Sequence, residues 1–298
     1  MLPLSQRRNG AGVAAFAAFI NLRQGVLVRR TLDPCLAAPF TDNRTLNTFY
    51  FTNIFREADN GTKYYRRQMW DQYEEISPEI IQDILYQTYL YRCVNKRATF
   101  EEFGGIPSVE EWLKFKRFMN KWMKDEEKQK KEKFFTSAHI NQGENKTVVT
   151  IDYVLGNGPR MAKKIMSATS LKQVWEVIKT PPHVGDFLSW QITADLCELQ
   201  LVKLKENFTA LGPGAKAGLQ RVFSVGHASE HLELTKTLTR LMGAVFNKLG
   251  IDFKQFLGRK MSLKAIEHSL CEFDKYYRAV IGKEYSINMC SCIYLYLF

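Results

Sequence analysis

Arg56 and Asp59 stand three residues apart, and Gln191 and Asp195 four apart. A guanidinium can neutralise a phosphate or pyrophosphate substituent, and a nearby carboxylate can position an amine or a water for transfer. An arginine and an acid at helical spacing can equally well pair with each other and do no chemistry, so spacing alone leaves that reading open.

Two glycine turns offer a second kind of chemistry. Pro181-Pro182-His183-Val184-Gly185 precedes an apolar helix, and Leu211-Gly212-Pro213-Gly214-Ala215-Lys216 opens another. Unpaired N–H groups at helix N-termini favour anions such as phosphate. The turn at Gly185 has the form of a helix-hairpin-helix, which holds one DNA phosphate without reading bases; His183 stands where that pattern has its first glycine. The turn at Gly212 and Gly214 is either a tight bend that sets a helix angle or a phosphate cradle with Lys216 as its point charge. No Gly-Lys-Ser/Thr follows it, so it is not a Walker A loop, and no kinase site is visible in the sequence.

Composition agrees with a polyanion partner. The 298 residues carry 42 Lys and Arg against 31 Asp and Glu, a formal net charge of +11. Such an excess suits DNA, RNA or an acidic membrane face. The six cysteines are scattered without a Cys-x-x-Cys pair, which fits a reducing intracellular compartment and no zinc site. His227 and His231 share a helix face without a further ligand and read as a surface pair. His-Glu-x-x-His and Gly-x-Ser-x-Gly are both missing. No metal or cofactor is expected. The arginines of Met1 to Arg30 are compatible with an organellar leader or with the first helix of the domain. No apolar run reaches the roughly 18 residues of a membrane span, and the aromatic stretch Met289 to Phe298 is too short.

The elements that must position these residues are helical. Ser77-Pro78-Glu79 and Ser262 are helix starts, and Ser108-Val109-Glu110-Glu111 and Ser170-Leu171-Lys172-Gln173 are capping boxes. Stripes such as Ile80, Ile81, Ile84 and Leu85, or Trp112, Phe115, Met119 and Trp122, recur at helical spacing and read as core. Gly250 is a left-handed helix stop. Asn157-Gly158-Pro159 reads as another start. Thr147 to Val154 is strand-like, though a helical reading of its end is open, and one strand cannot make a sheet. Lys124 to Lys133 is a solvated charge run and the best internal boundary. The expectation is an all-α chain of roughly ten helices, with a flexible start at 1–14, one helical domain over 15–285 and a tail at 286–298.

Several segments occur in an order that resembles a known family. They are Phe16 to Arg30, Pro39-Phe40-Thr41-Asp42, the run Phe51 to Thr62, Phe135-Thr136-Ser137-Ala138, Gly185 to Leu196, Gly212-Pro213-Gly214-Ala215 and Ile266 to Arg278. Together they resemble the helical domain of 5-hydroxymethyl-deoxyuridine (5-hmdU) DNA kinases, a domain related to the alpha-glutamyl/putrescinyl thymine pyrophosphorylases. The resemblance implies a helix-hairpin-helix DNA glycosylase-like fold and action on, or binding to, a thymine-derived base in DNA. It marks Arg56, Asp59, Gln191 and Asp195, which it makes the candidate catalytic residues, and Gly212, Pro213, Gly214 and Lys275. The implied partner is double-stranded DNA carrying a modified pyrimidine, with a separate kinase or modifying enzyme as a further partner. A non-catalytic nucleic-acid-binding module, on DNA or RNA, is the alternative.

Overall fold

The computed structural model describes residues 10–70, 77–136, 143–223, 228–254, 258 and 260–281; Ser137, Ala138, His139, His227, Cys290, Cys292 and the tail lie outside them. Among the described residues there are thirteen α-helices and no strand, so the all-α expectation holds. The chain forms two compact units: Met1–Asp59 with Glu206–Phe298, and Asn60–Lys205.

The first unit contains α1 (Gly10–Leu32), α2 (Arg44–Thr48), α11 (Pro213–Phe223), α12 (His231–Lys248) and α13 (Leu263–Val280). Its core joins Phe16, Phe19 and Ile20 of α1 to Phe51, Phe55, Leu219, Leu238, Leu270 and Phe273. The 18-residue window of α1 has a mean hydropathy of 1.5, so this helix meets the length and composition of a membrane span where the sequence reading expected none. Here its apolar face is packed into the unit: Phe16 and Ile20 are fully buried. Glycines let α11 approach its neighbours closely. A methyl group on Gly218 would lie 2.0 Å from the Leu270 carbonyl oxygen of α13, and one on Gly12 of α1 would lie 2.6 Å from the Arg221 carbonyl oxygen of α11.

The second unit contains α3 (Asn60–Trp70), α4 (Pro78–Val94), α5 (Arg97–Phe103), α6 (Trp112–Lys124), α7 (Glu126–Lys131), α8 (Gly143–Met166), α9 (Leu171–Ile178) and α10 (Asp186–Glu198). The strand-like run Thr147 to Val154 is helical, and Asn157-Gly158-Pro159 lies inside α8 instead of starting a helix. Packing explains the glycine: a methyl on Gly158 would lie 2.6 Å from Gln82 Cγ of α4. Pro159 costs one backbone hydrogen bond, and the helix runs through it because Ile151, Val154, Met161 and Ala162 on either side are buried. Ser77, Ser170 and Ser262 cap their helices as read, each accepting a bond from an N–H three residues on. The α6 box is half formed: the Ser108 N–H donates to the Glu111 carboxylate, while the helix begins after Glu111.

Candidate functional site

In the first unit, two segments more than 200 residues apart in sequence meet around a buried polar cluster. The first runs from Phe51 to Asp59. It stays extended until a single 3-10 turn at Arg56–Ala58, so Arg56 and Asp59 are not successive positions on one α-helix face. The second is α13, which presents Lys264, His268, Glu272 and Lys275 at spacings of four, four and three, one face of a helix. The capping hydroxyl of Ser262 fixes where that helix starts and hence which face it turns inward.

The contacts are specific. The Thr52 N–H donates to Glu272 Oε2 at 3.0 Å, and Thr52 Oγ1 lies 2.8 Å from His268 Nε2. Asp59 Oδ1 accepts from both the backbone N–H and the side-chain amide of Asn53, each at 2.8 Å. Asp59 Oδ2 is 4.0 Å from His268 Nε2. Arg23 of α1 ties the segment down from behind, donating to the Phe51 and Thr52 carbonyls and to Asn53 Oδ1. Lys264 pairs with Glu57 at 3.1 Å and Lys275 with Glu272 at 3.7 Å. Lys275 also bonds the Tyr50 carbonyl and lies over the Phe51 ring. Arg56 is buried. The Asp59 and His268 side chains keep 14% and 16% of their surface exposed.

Burial sets the protonation states. It pushes the Asp59 carboxyl up to about 7, against the opposing pull of the Asn53 N–H, Arg23 and Arg56. Burial also lowers His268 to about 4, helped by Arg56 and Lys264, so its ring is neutral at physiological pH. At Glu272 burial acts upward, but Lys275, His268, the Thr52 N–H and Arg23 outweigh it and hold the carboxyl below its usual range. The site thus combines an acid that titrates near neutrality, a neutral imidazole, a fixed carboxylate and several cations. Groups poised in this way are characteristic of acid–base chemistry and of binding an anionic group.

The other expected site residues belong to other elements. Gln191 and Asp195 are on α10 in the second unit, while Arg56 and Asp59 belong to the first. Asp195 is buried, and Arg92 of α4 grips it with Nε at 2.5 Å and Nη2 at 2.7 Å. Gly185 is the N-cap of α10, closing a hairpin with α9. His183, in the place of that motif's first glycine, has φ of 63°, the left-handed conformation a glycine adopts most easily. Gly214 lies in the first turn of α11, where a methyl group would meet Cys271 Sγ at 2.5 Å, so its small size serves packing against α13. The Gly212 carbonyl accepts the Lys216 N–H. His231 is buried, contrary to the surface pairing read with His227; burial and Lys216 lower its pKa.

Sequence reasoning singled out Arg56, Asp59 and Lys275 of the cluster but assigned no role to Arg23, Thr52, Asn53, His268 or Glu272. The i, i+4, i+8 series Lys264, His268 and Glu272 was the available signal: three ionisable residues on one face of a helix whose apolar residues Ile266, Leu270 and Phe273 face the core. Among the described residues no group of His, Cys, Asp and Glu side chains is arranged to hold a metal ion.

Comparison with known proteins agrees with the resemblance. Residues 11–285 match the family described as 5-hmdU DNA kinase, helical domain. A curated relative, the 5-hmdU DNA kinase of Bacillus phage SP10, is 26% identical over 288 residues. The alignment takes in 87% of this chain and 44% of that kinase, so the chain spans less than half the length of its relative. No solved structure matches. The match from residue 11 to residue 285 includes both segments of the polar cluster and both glycine turns, and on that extent the chain belongs to the 5-hmdU DNA kinase helical-domain family.

Proposed function

We propose that this chain is the DNA-engaging helical domain of a thymine hypermodification system, and that the Asp59 cluster receives a modified pyrimidine from DNA. The observation that carries this reading is the convergence of Arg56, Asp59, His268, Glu272 and Lys275 in one mostly buried polar cluster. A base in duplex DNA must leave the stack before a protein pocket can act on it. Once there, a 5-hydroxymethyl group, or the phosphate or pyrophosphate ester made from it, brings oxygens that suit Arg56 and Lys275. Asp59, titrating at about 7, can take the proton from an attacking amine or water, or return one to a leaving group. In that role the chain is a transferase acting on a modified base.

One observation favours a second reading, a binding module that presents the base to another enzyme. Asp195, half of the catalytic pair expected on α10, is closed off by Arg92.

The test uses DNA duplexes that differ at one base: thymine, 5-hydroxymethyluracil or its pyrophosphate ester. Selective binding of a modified duplex, lost in Asp59→Asn and Arg56→Gln, is expected. Mass analysis of nucleosides after incubation with amine donors separates the readings, since only a transferase changes the base. Equal affinity for all three duplexes would remove the modified base as the ligand.

A further inference from the structure

The second unit carries a concentration of positive charge on one helix face. Helix α6 is amphipathic: Trp112, Phe115, Met119 and Trp122 are buried, and Arg117, Lys121 and Lys124 emerge on the opposite side, all exposed. With the start of α8 they line an open groove of about 560 Å³. Its other polar groups are locally engaged. Lys116 lies 3.5 Å from Asp152, and Asn120 donates to Glu144 at 3.0 Å. On neighbouring α7 Lys128 pairs with Glu102, and Lys130 with Glu127 at 2.6 Å. Arg117, Lys121 and Lys124, by contrast, have neither an ion pair nor a hydrogen bond among the described residues. A solvated charge run normally intersperses signs; here α6 itself contributes only cations to the groove, and the one acid among its described lining residues, Glu144 of α8, accepts a bond from Asn120.

We propose that this groove of the second unit binds the sugar-phosphate backbone of duplex DNA, independently of sequence. The spacing fits. Arg117 to Lys124 is seven residues, about 10 Å along a helix at ~1.5 Å per residue. Along one DNA strand phosphates advance by about 3.4 Å of axis each, so that span covers about three of them. Arginine supplies a planar fork and lysine a mobile point charge, and both bind phosphate oxygens. None of the groove's described lining residues is buried, so none is a preorganised group that would read a base edge. It therefore contributes affinity and position, with base selection left to the Asp59 cluster. This rests on the proposed action on DNA, but makes a separable claim about where the backbone is held.

The experiment measures affinity of the full chain for a fluorescent duplex carrying 5-hydroxymethyluracil and for its thymine twin, across a salt series. Each phosphate contact contributes about 0.9 to the slope of log K against log salt. The triple variant Arg117→Gln, Lys121→Gln, Lys124→Gln should lower the steepness by about 2.7, so that from 50 to 200 mM salt the wild type loses about 40-fold more affinity than the variant. Both duplexes should weaken by the same factor. A control removing equal charge from α12 (Lys236→Gln, Arg240→Gln, Lys248→Gln) should leave the slope near the wild-type value, which excludes a net-charge effect. An unchanged slope in the α6 variant, or an equal change in the control, overturns the proposal while leaving base selection standing. A wild type that binds both duplexes alike but loses its salt slope in the α6 variant keeps the groove and overturns the modified-base reading. No DNA binding by the wild type overturns both.

Discussion

Replacing Asp195 with asparagine asks directly whether that residue is structural or chemical. The Arg92–Asp195 pair is nearly inaccessible, with side-chain exposures of 8% and 1%, and Arg92 also donates to Asn95 Oδ1 at 3.1 Å. Asparagine keeps the shape and removes the charge, leaving a guanidinium buried beside a neutral amide. Breaking one side of a buried pair costs about 3–5 kcal/mol. At roughly 2–4 °C per kcal/mol for a unit of this size, the melting midpoint should fall by about 10 °C. All five tryptophans, Trp70, Trp112, Trp122, Trp175 and Trp190, lie in the Asn60–Lys205 unit. Tryptophan fluorescence during thermal or urea unfolding therefore reports that unit alone. Replacing both partners with apolar residues, Arg92→Met with Asp195→Leu, removes the stranded charge and should recover most of the loss. An Asp195→Asn protein that melts like the wild type but fails to modify DNA would refute this reasoning and return Asp195 to the chemistry.

Three further outcomes are expected. Gly218→Ala should destabilise the first unit by about 3 kcal/mol, the upper part of the overpacking range, because its methyl meets backbone at 2.0 Å and α11 and α13 must part; far-UV circular dichroism during melting checks it, and an unchanged midpoint would deny the close approach. For pH, Asp59 ionises at about 7 when folded against 3.8 otherwise, so between those values the folded protein holds an extra proton and its contribution to stability falls as pH rises. His268 does the reverse between about 4 and 6.5, staying neutral when folded while the unfolded ring is charged, so its contribution rises with pH. Relative to wild type between pH 4.5 and 6, Asp59→Asn should therefore steepen stability upward by about 1.4 kcal/mol per pH unit and His268→Gln should tilt it downward by a similar amount; parallel curves for all three proteins would remove the linkage. Lys216→Glu should weaken DNA binding for every sequence alike, and unchanged affinity would exclude the α11 turn from the interface.

Helix ends were legible because their signals are local. Ser77, Ser170 and Ser262 each bond an N–H three residues away, and Gly250 takes φ of 64° just past α12. Where a local signal competes with packing, packing decides. Asn157-Gly158-Pro159 has the residue types of a helix start, yet Gly158 is there to let α4 approach and the helix continues through it. The same holds for Gly214, part of the turn read as a tight bend or a phosphate cradle, where a methyl group would meet Cys271 of α13. The polar cluster was half legible for a related reason. Arg56, Asp59 and Lys275 stand in segments that carry the family resemblance, but the Thr52–Glu272 bond joins residues 220 apart. No periodicity at i, i+3 or i+4 can register such a pairing.

The difference between Asp59 and Asp195 is one of partners. Both are buried carboxylates, so burial alone gives no reason to prefer one. Asp195 has both oxygens taken by a single guanidinium, a geometry that neutralises its charge internally. A ligand would have to break that pair before gaining anything from the carboxylate, at a cost of several kcal/mol. Asp59 is held by two neutral donors from Asn53, both on Oδ1, and the charges of Arg23 and Arg56 only partly offset the effect of its burial. That arrangement orients the carboxylate, and burial, which the Asn53 bond, Arg23 and Arg56 only partly oppose, is what brings its proton to exchange near pH 7. Orientation with incomplete compensation is the condition for a proton-transfer group, and Asp59 meets it where Asp195 does not.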